Sequence, residues 1–452
     1  MALVISRILH AGYVFDCEGV RILFDPIFEN PFSRNCHAFP DLRFDHAAIR
    51  DLRPDAVFIS HYHDDHCSFD SLDLLPRDTP IYLYCLFEEL FDLLRELGFA
   101  QVHALRTDVP VPIGPFVITP REALDADVDA MFQIQAGGNN VLNVVDAWIA
   151  DDTVAALAAQ GPWDMVLWPF QTMRELAVLS PTRAEPFEVR VPEEFLAQLV
   201  QLNPRYVVPS SCQFVQEEWS WYNHAMFPMT YRQFQSEVNA ALPAAQVVRL
   251  NPSVAVQLDT GVLTPAAPLP WVLPVGEQDR DFAFDPTLPV PSTAEIALHF
   301  APLDADGREL VAQYLDTGLV ATYRAMALPE DSYFQQARLW RLALYDHEGA
   351  ATQFTFRIHG DAIEAAAPDA GPIGWLTELP AAKLHAALAQ GEALTSMYVR
   401  VNDSVFDAAT EAALQEAEVL DDPLIRCLFN DVFGAYQKAQ LRRLTASTPA
   451  PS

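Results

Sequence analysis

Basic residues are scarce in this sequence. Its 452 residues include 28 Lys and Arg against 61 Asp and Glu, which gives a formal net charge of -33. Binding to nucleic acid needs clustered cations that displace counterions from the phosphates. The charge balance therefore argues against a nuclease and against a protein that binds anionic membranes. It leaves open a small-molecule substrate, because even an anionic one needs only a few local cations or a metal ion.

Long apolar runs are also missing, and cysteine is sparse. No apolar run reaches the ~20 residues that cross a bilayer, so no membrane span is predicted. The six cysteines show no CxxC pairing. The first residues of the sequence have neither the apolar stretch nor the cleavage site of a secretory leader. Reduced thiols in a cytoplasmic protein are therefore the expectation.

Strand and helix patterns alternate along residues 1–263. The apolar run 56–59 is typical of a strand buried on both faces. Between residues 87 and 97, apolar side chains recur at helical spacing. The Gly-Gly-Asn-Asn segment 137–140 predicts a turn between two strands. Such a mixture of hairpins and alternating elements predicts an αββα sandwich.

A proline-rich segment divides the chain. Proline at this density prevents both helices and central strands, so residues 264–294 are predicted to link residues 1–263 to a smaller α+β domain at 295–444. The order of elements in that second domain is weakly similar to sterol-carrier-protein-like domains. The similarity implies an apolar tunnel or a dimerisation surface, and hence a homodimer as one option. The prolines concerned are Pro265, Pro268, Pro270, Pro274, Pro286, Pro289 and Pro291.

A dense cluster of metal-ligand residue types follows the strand 56–59. Residues 60–66 read Ser-His-Tyr-His-Asp-Asp-His. In extended backbone His61 and His63 point to the same side, so one ion can bind both. Asp65 and His66 come after the strand, where a turn can direct them at a second ion about 3.5–4 Å away. A solvated polar loop is the alternative, but so many hydrophilic groups at a strand end cost stability without a cation.

This HxHxDH motif resembles the metallo-β-lactamase superfamily. Segments 8–12 and 20–26 are similar to the opening hairpin of the branch that contains the ascorbate-6-phosphate lactonases and the N-acyl-phosphatidylethanolamine phospholipase D enzymes. The same stretch is similar to the corresponding domain of CMP-N-acetylneuraminate hydroxylase. The resemblance implies an αββα sandwich that holds one or two divalent metal ions, zinc or iron, at the edge of its sheets.

Individual roles follow from the same resemblance. His61 and His63 match ligands of a first metal, and Asp65 and His66 match ligands of a second. Asp146, which comes after an apolar strand pattern, matches the aspartate that bridges both metals. Its alternative role is that of a plain carboxylate at a strand end.

The sequence departs from the superfamily pattern at two places where a histidine is expected. Carboxylates stand before Asp146, and Ser210-Ser211-Cys212 stands after the strand that ends near Pro209. More oxygen ligands and fewer imidazoles favour iron or manganese. The additional ligands, or residues that support ligands, are therefore sought among His10, Asp25, His37, Asp127, Asp129, Glu217, Glu218 and His224.

Three functions remain open from the sequence. The leading one is hydrolysis of a small-molecule ester, lactone, amide or phosphodiester by a metal-activated water, which Asp65 or Asp146 would orient or deprotonate. The second is an iron-dependent oxidation that uses O₂. The third is a ligand-binding protein without catalysis, which an intact HxHxDH motif disfavours.

Overall fold

The computed structural model describes residues 2–184, 188–330, 332–404, 421–429 and 434–447. It divides into two compact units. The first comprises Met1–Met173, Glu188–Phe284 and the chain from Tyr436 onward, and the second comprises Arg174–Phe187 and Asp285–Ala435. Among the described residues, no helix combines the length and the apolar character needed to cross a membrane.

The strands of the first unit are β1 Leu3–Arg7, β2 Tyr13–Cys17, β3 Val20–Phe24, β4 His37–Ala38, β5 Leu42–Phe44, β6 Ala56–Ile59, β7 Ile81–Leu83, β8 Val102–Ala104, β9 Val111–Ile113, β10 Phe116–Glu122, β11 Ala130–Ala136, β12 Asn139–Asn143, β13 Met165–Pro169, β14 Tyr206–Ser210, β15 Phe214–Val215, β16 Gln246–Val247, β17 Ala255–Asp259, β18 Val262–Ala266 and β19 Val272–Pro274. Those of the second are β20 Arg338–Tyr345, β21 Ala351–His359, β22 Ala362–Ala365, β23 Trp375–Pro380 and β24 Arg400–Val401.

The α-helices are α1 His46–Arg50, α2 Phe69–Leu72, α3 Glu88–Glu96, α4 Asp151–Ala159, α5 Glu175–Leu179, α6 Glu193–Leu202, α7 Tyr222–Ala225, α8 Tyr231–Ala241, α9 Thr293–Ala297, α10 Ala305–Gln313, α11 Leu319–Ala325, α12 Ala381–Gln390, α13 Pro423–Phe429 and α14 Ala435–Ser447. Shorter turns of 3-10 or π type occur at Tyr314–Gly318, Tyr333–Gln335 and Leu394–Ser396.

Two sheets form the body of the first unit. Their strand orders are β18-β17-β1-β2-β3-β6-β7-β8 and β16-β14-β13-β12-β11-β10-β9. The sheets pack face to face through an aromatic core, in which the ring of Phe132 on the second sheet lies 5.3 Å from that of Phe24 and 5.9 Å from that of Phe58 on the first. Because the inner faces are taken by this core, the helices that connect the parallel strands must cover the outer faces. The predicted αββα sandwich is confirmed.

Parallel pairing brings several strand ends to one edge of the sandwich. β3 pairs in parallel with β6, and β12 with β13, which is itself parallel to β14. β6 is buried throughout, as its apolar sequence predicted. In parallel sheets the segments that follow the carboxyl ends of the strands lie together, and ligands bind there. The HxHxDH motif follows β6 directly and therefore lies at this edge.

The proline-rich segment contains two short strands. β18 is an edge strand of the first sheet, and β19 pairs with β5 in a separate two-stranded sheet. Proline is tolerated there because an edge strand leaves one row of backbone groups unpaired. The division between the two units falls between Phe284 and Asp285, inside the segment that the sequence assigned to a linker.

The second unit contains a five-stranded sheet of order β22-β21-β20-β23-β24. Its buried centre includes Trp375, whose indole donates a hydrogen bond of 2.8 Å to Asp422. Asp422 also accepts from the backbone of Leu424 at 2.9 Å and so caps α13. An open cavity of about 390 Å³ in this unit has largely apolar walls that include Val311, Leu315 and Phe354.

The last helix returns to the first unit. The sequence prediction assigned residues up to 444 to the second domain, whereas the chain from Tyr436 onward groups with the first. The reason is a set of buried polar contacts, led by those of Gln437 and Gln440, with the segment that follows β6. Residues so far apart in the sequence give no local signal of this pairing.

Candidate metal centre

Two clusters of metal-ligand side chains lie at the edge of the sandwich. The first contains His10, Asp65, His66 and Asp146, and the second contains His61, Asp129 and Asp146. Within each cluster, one ligand atom from every residue lies within 4.8 Å of all the others. Asp146 belongs to both clusters and is placed to be shared by two ions.

The atoms of the first cluster are at contact distance. Nε2 of His10 lies 3.1 Å from Oδ2 of Asp65 and 3.2 Å from Nε2 of His66. Nε2 of His66 in turn lies 3.1 Å from Oδ2 of Asp146. Two imidazole nitrogens and two carboxylates therefore converge on one point, which is a donor set that a divalent cation can use.

His63 lies beside the second cluster without belonging to it. Its ring centroid is 4.4 Å from that of His61. The His61 side chain is buried, whereas His63 is exposed. His63 therefore stands at the solvent side of the site, next to the histidine with which the sequence paired it.

Hydrogen bonds fix the tautomer of His61. Ser60 donates its only hydroxyl hydrogen to Oδ2 of Asp25 at 2.7 Å. The Ser60 oxygen, 2.9 Å from Nδ1 of His61, must then accept a hydrogen from that nitrogen. The tautomer assigned by this network leaves a lone pair on Nε2 of His61.

The same Nε2 atom provides the test of whether a cation fits. It is buried, and among the described residues it has no hydrogen-bond partner; Oδ1 of Asp129 is in the same condition. A buried polar atom without a partner costs about 1–3 kcal/mol. A cation bound by His61, Asp129 and Asp146 would remove that cost, so the residues fit a metal ion.

Asp25 contacts two residues of the segment 60–66, Ser60 and His66, at hydrogen-bonding distance. It is fully buried, accepts from the backbone amide of Ser60 at 2.7 Å, and lies 3.0 Å from Nδ1 of His66. The contact leaves Nε2 of His66 facing the first cluster. Carboxylates hold ligand histidines in this way at many metal sites, and the sequence expected this role for Asp25.

The charges in the first cluster compensate one another. Burial lowers the pKa of His66, but the carboxylates of Asp146 and Asp65 outweigh burial and hold it well above the ordinary value. Burial raises the pKa of Asp65 and Asp146, but His66 outweighs it together with His10 and His63 at Asp65 and with His61 at Asp146, and the pKa of both carboxyls stays well below the ordinary value. Without a metal ion, a protonated His66 balances the two carboxylates; a bound cation would take over this role.

His61 behaves differently. Burial, followed by the charges of His66 and His63, holds the pKa of His61 well below its ordinary value. The imidazole is therefore neutral at pH 7, which is the form that binds metal ions.

Three residues in or next to the site have strained backbone conformations. His10, Asp25 and Val145, which precedes Asp146, have φ angles of 52°, 40° and 65°. Such angles are uncommon outside glycine and cost about 1–3 kcal/mol each, most of all for a β-branched residue such as Val145. The turn at His10 is held by Arg7, a buried guanidinium that donates to the carbonyl of His10.

The remaining sequence candidates lie outside both clusters. Asp127 is exposed; Glu217 accepts from the amide of Asn35 at 3.1 Å; and Nδ1 of His224 lies 2.7 Å from the carbonyl of Ala283. His37 forms part of the two-residue strand β4, and Glu218 joins neither cluster. Among the described residues, the carboxylate and the histidine that the structure adds to the motif are Asp129 and His10.

The raised pKa of Asp129 is expected to make the stability of the metal-free protein depend on pH. Burial and the charge of Asp146 raise its pKa from 3.8 to about 7. The folded state thus retains a proton that the unfolded chain releases, so this contribution to stability is present below pH 3.8 and is lost as the pH rises through 7. Asp129→Asn is expected to stabilise the metal-free protein at pH 8 by roughly 1–3 kcal/mol, a range reduced for solvent screening, and to change little at pH 4.

Urea denaturation of chelator-treated protein at the two pH values measures this difference. Asp127→Asn, an exposed carboxylate two residues away, is the control and should change stability equally at both. An equal effect of Asp129→Asn at pH 4 and pH 8 would contradict the assignment.

The chain is similar to one protein family and to several solved structures. Residues 5–211 match the family model described as a beta-lactamase superfamily domain. This stretch carries the whole HxHxDH motif and Asp146. No curated protein matches the sequence. Residues 5–211 are thus similar to a beta-lactamase superfamily domain, in line with the resemblance that the motif indicated.

Solved structures similar to this chain include enzymes of more than one kind. A metallo hydrolase from the archaeon Ignicoccus hospitalis is 18% identical, with 57% of this chain and 99% of that chain covered and a TM-score of 0.41. CmlA, a diiron β-hydroxylase from Streptomyces venezuelae, is 17% identical over 57% of this chain and 54% of that chain, with a TM-score of 0.39. An isothiocyanate hydrolase from Delia radicum gut bacteria is 16% identical over 59% of this chain and 100% of that chain, also with a TM-score of 0.39.

Proposed function

We propose that this protein is a metal-dependent hydrolase of a small-molecule ester, lactone, amide or phosphodiester. The observation that carries the proposal is that two buried atoms of the second cluster, Nε2 of His61 and Oδ1 of Asp129, have no hydrogen-bond partner among the described residues, although ligand atoms of His61, Asp129 and Asp146 lie within 4.8 Å of one another. His61, Asp129 and Asp146, with His63 beside them, would hold one ion. His10, Asp65, His66 and Asp146 would hold a second.

The chemistry divides between the ion and the protein. A bound divalent cation would supply a nucleophilic water near neutral pH and polarise the oxygen of the scissile bond. Asp65 and Asp146 have pKa values well below the ordinary one, so both are ionised at pH 7 and can orient the water. Asp25 keeps the ring of His66 in place, and Ser60 keeps the ring of His61 in place.

Loss of a histidine is expected to remove bound metal while the fold survives. His61→Ala deletes the one imidazole of the second cluster, and His63→Ala deletes its neighbour, whereas the core between the sheets is built from other residues. Affinity for the ion should fall at least ~10-fold in each variant. Elemental analysis and circular dichroism of both proteins measure the outcome.

His103→Ala is the matched control for these variants. His103 is an exposed histidine of the same unit that stacks on Tyr82 and belongs to neither cluster. It should retain wild-type metal content. Full metal occupancy in His61→Ala would show that this residue is not a ligand.

A second function is favoured by one observation. Three different carboxylates, Asp65, Asp129 and Asp146, take part in the clusters, and oxygen-rich donor sets favour iron or manganese over zinc. An iron-dependent oxidation that uses O₂ is therefore the alternative.

Activity assays distinguish hydrolysis from an iron-dependent oxidation that uses O₂. Protein reconstituted with Zn²⁺, Mn²⁺ or Fe²⁺ would be tested on nitrophenyl esters, lactones, anilides and a bis-nitrophenyl phosphate, and its O₂ consumption measured. Metal-dependent hydrolysis that His61→Ala removes supports the hydrolase. Metal-dependent O₂ uptake with no hydrolysis by any metal form would overturn it.

A further inference from the structure

The loop that carries the candidate ligands is held at both ends by one side chain from the last helix. Gln437 on α14 donates from its amide nitrogen to the carbonyl of Tyr62 at 2.8 Å and to the carbonyl of Cys67 at 2.7 Å. Tyr62 lies between His61 and His63, and Cys67 follows His66 directly. The two hydrogens of a single amide therefore join the beginning and the end of the HxHxDH loop.

The loop has limited means of holding this shape alone. Inside it, the amides of His66 and Cys67 both bond to the carbonyl of His63, at 3.1 and 2.8 Å, which forms one tight turn. These bonds fix the turn at Asp64 and Asp65, but they do not join Tyr62 to Cys67. The Gln437 amide makes that link, and its side chain is only 2% exposed, so water does not compete for the carbonyls.

Gln440 and Lys438 of α14 bond to residues outside the ligand loop. Gln440 bonds to the hydroxyl of Ser68 at 3.0 Å and accepts from the amide of Phe69 at 2.6 Å. Lys438 pairs with Glu89 at 2.8 Å. These partners lie on or beside α2 and α3. Gln437 thus contacts the backbone of the ligand loop, whereas Gln440 and Lys438 contact α2 and α3.

We propose that Gln437 is a positioning residue of the metal centre, which sets the spacing between His61 and His66 through the backbone of the loop. The proposal rests on the function proposed above. Its physical basis is that metal affinity depends on ligands being held in place before the ion arrives, and residues that hold ligands from outside contribute roughly 10- to 100-fold to affinity.

The test is a titration of the full chain with Zn²⁺ alone against a chelating dye. Gln437→Met keeps the length and helix preference of the side chain but removes both donors. It is expected to weaken Zn²⁺ binding roughly 10- to 100-fold. Gln440→Met is the matched control: it removes an equally buried amide one turn further along the same helix, and should lower thermal stability while leaving Zn²⁺ affinity at the wild-type value.

Gln437→Asn serves as a second variant should Gln437→Met fail to fold. It retains an amide that is one methylene shorter and so cannot reach both carbonyls, and an intermediate loss of affinity is expected. Wild-type Zn²⁺ affinity in the folded Gln437 variants, or an equal loss in Gln440→Met, would overturn the positioning role. Failure of the wild-type chain to bind Zn²⁺ is a separate result, and it would count against the proposed metal centre itself.

Discussion

Replacing Asp146 by asparagine is expected to reduce metal binding at both clusters at once. Asp146 is the residue that the two clusters share, and its carboxylate lies 3.1 Å from Nε2 of His66. Asparagine preserves the shape of the side chain but not its charge. Both binding steps should weaken by at least ~100-fold, and turnover should fall by roughly 10²- to 10⁴-fold if Asp146 also accepts the proton of the water.

Metal stoichiometry, titration and turnover of the same preparation would measure this effect. Asp127→Asn is the control, because Asp127 is an exposed carboxylate in the segment that precedes β11. It should leave all three quantities unchanged. One ion bound at wild-type affinity in Asp146→Asn would show that the two clusters do not share this ligand.

Asp25→Ala is expected to produce the largest loss of stability among the site variants. The carboxylate is fully buried and meets the amide and hydroxyl of Ser60 and Nδ1 of His66. Its removal leaves three buried donors without their partner and takes away one of the carboxylates that face His66. Breaking a buried pair of this kind costs about 3–5 kcal/mol of unfolding free energy.

Urea denaturation of the chelator-treated proteins measures the loss of unfolding free energy. The control is Asp16→Ala, which removes a partly exposed pair with Arg21 at 2.8 Å and should cost no more than about 1 kcal/mol. Equal losses for Asp25→Ala and Asp16→Ala would mean that the hydrogen bonds of Asp25 contribute little to the folded state.

The fold was predictable where the sequence pattern is local. The four apolar residues of β6 give a buried strand, and the polar cluster after them must then lie at the sheet edge. The two strands in the proline-rich segment escaped prediction because proline excludes central strands but permits edge strands, and only the assembled sheet shows which is which.

The sequence predicted some residues of the candidate site and left the choice of others open. The motif identifies His61, His63, Asp65 and His66, but it does not choose between Asp127 and Asp129. That choice depends on a turn in which the amide of Asp129 bonds to the carbonyl of Asp125 at 2.9 Å. The turn places Asp129 at the start of β11 and leaves Asp127 facing solvent.

Two supporting residues were missed for different reasons. Ser60 carries a signal that could have found it, since it directly precedes His61 at the end of a buried strand and is itself polar. Gln437 carries none, because its partners are more than 360 residues earlier in the chain. Contacts of such separation depend on the packing of the whole unit rather than on any motif.

We propose that His61, Asp129 and Asp146, together with His10, Asp65 and His66, hold metal. Anomalous diffraction from crystals of the metal-loaded protein tests it most directly, because it locates each ion and its ligands in one measurement. We expect an anomalous peak beside His61 and the Asp146 carboxylate, with Asp129 or His10 among the ligands. Peaks bounded only by His61, His63, Asp65, His66 and Asp146, or no peak at this edge of the sandwich, would contradict it.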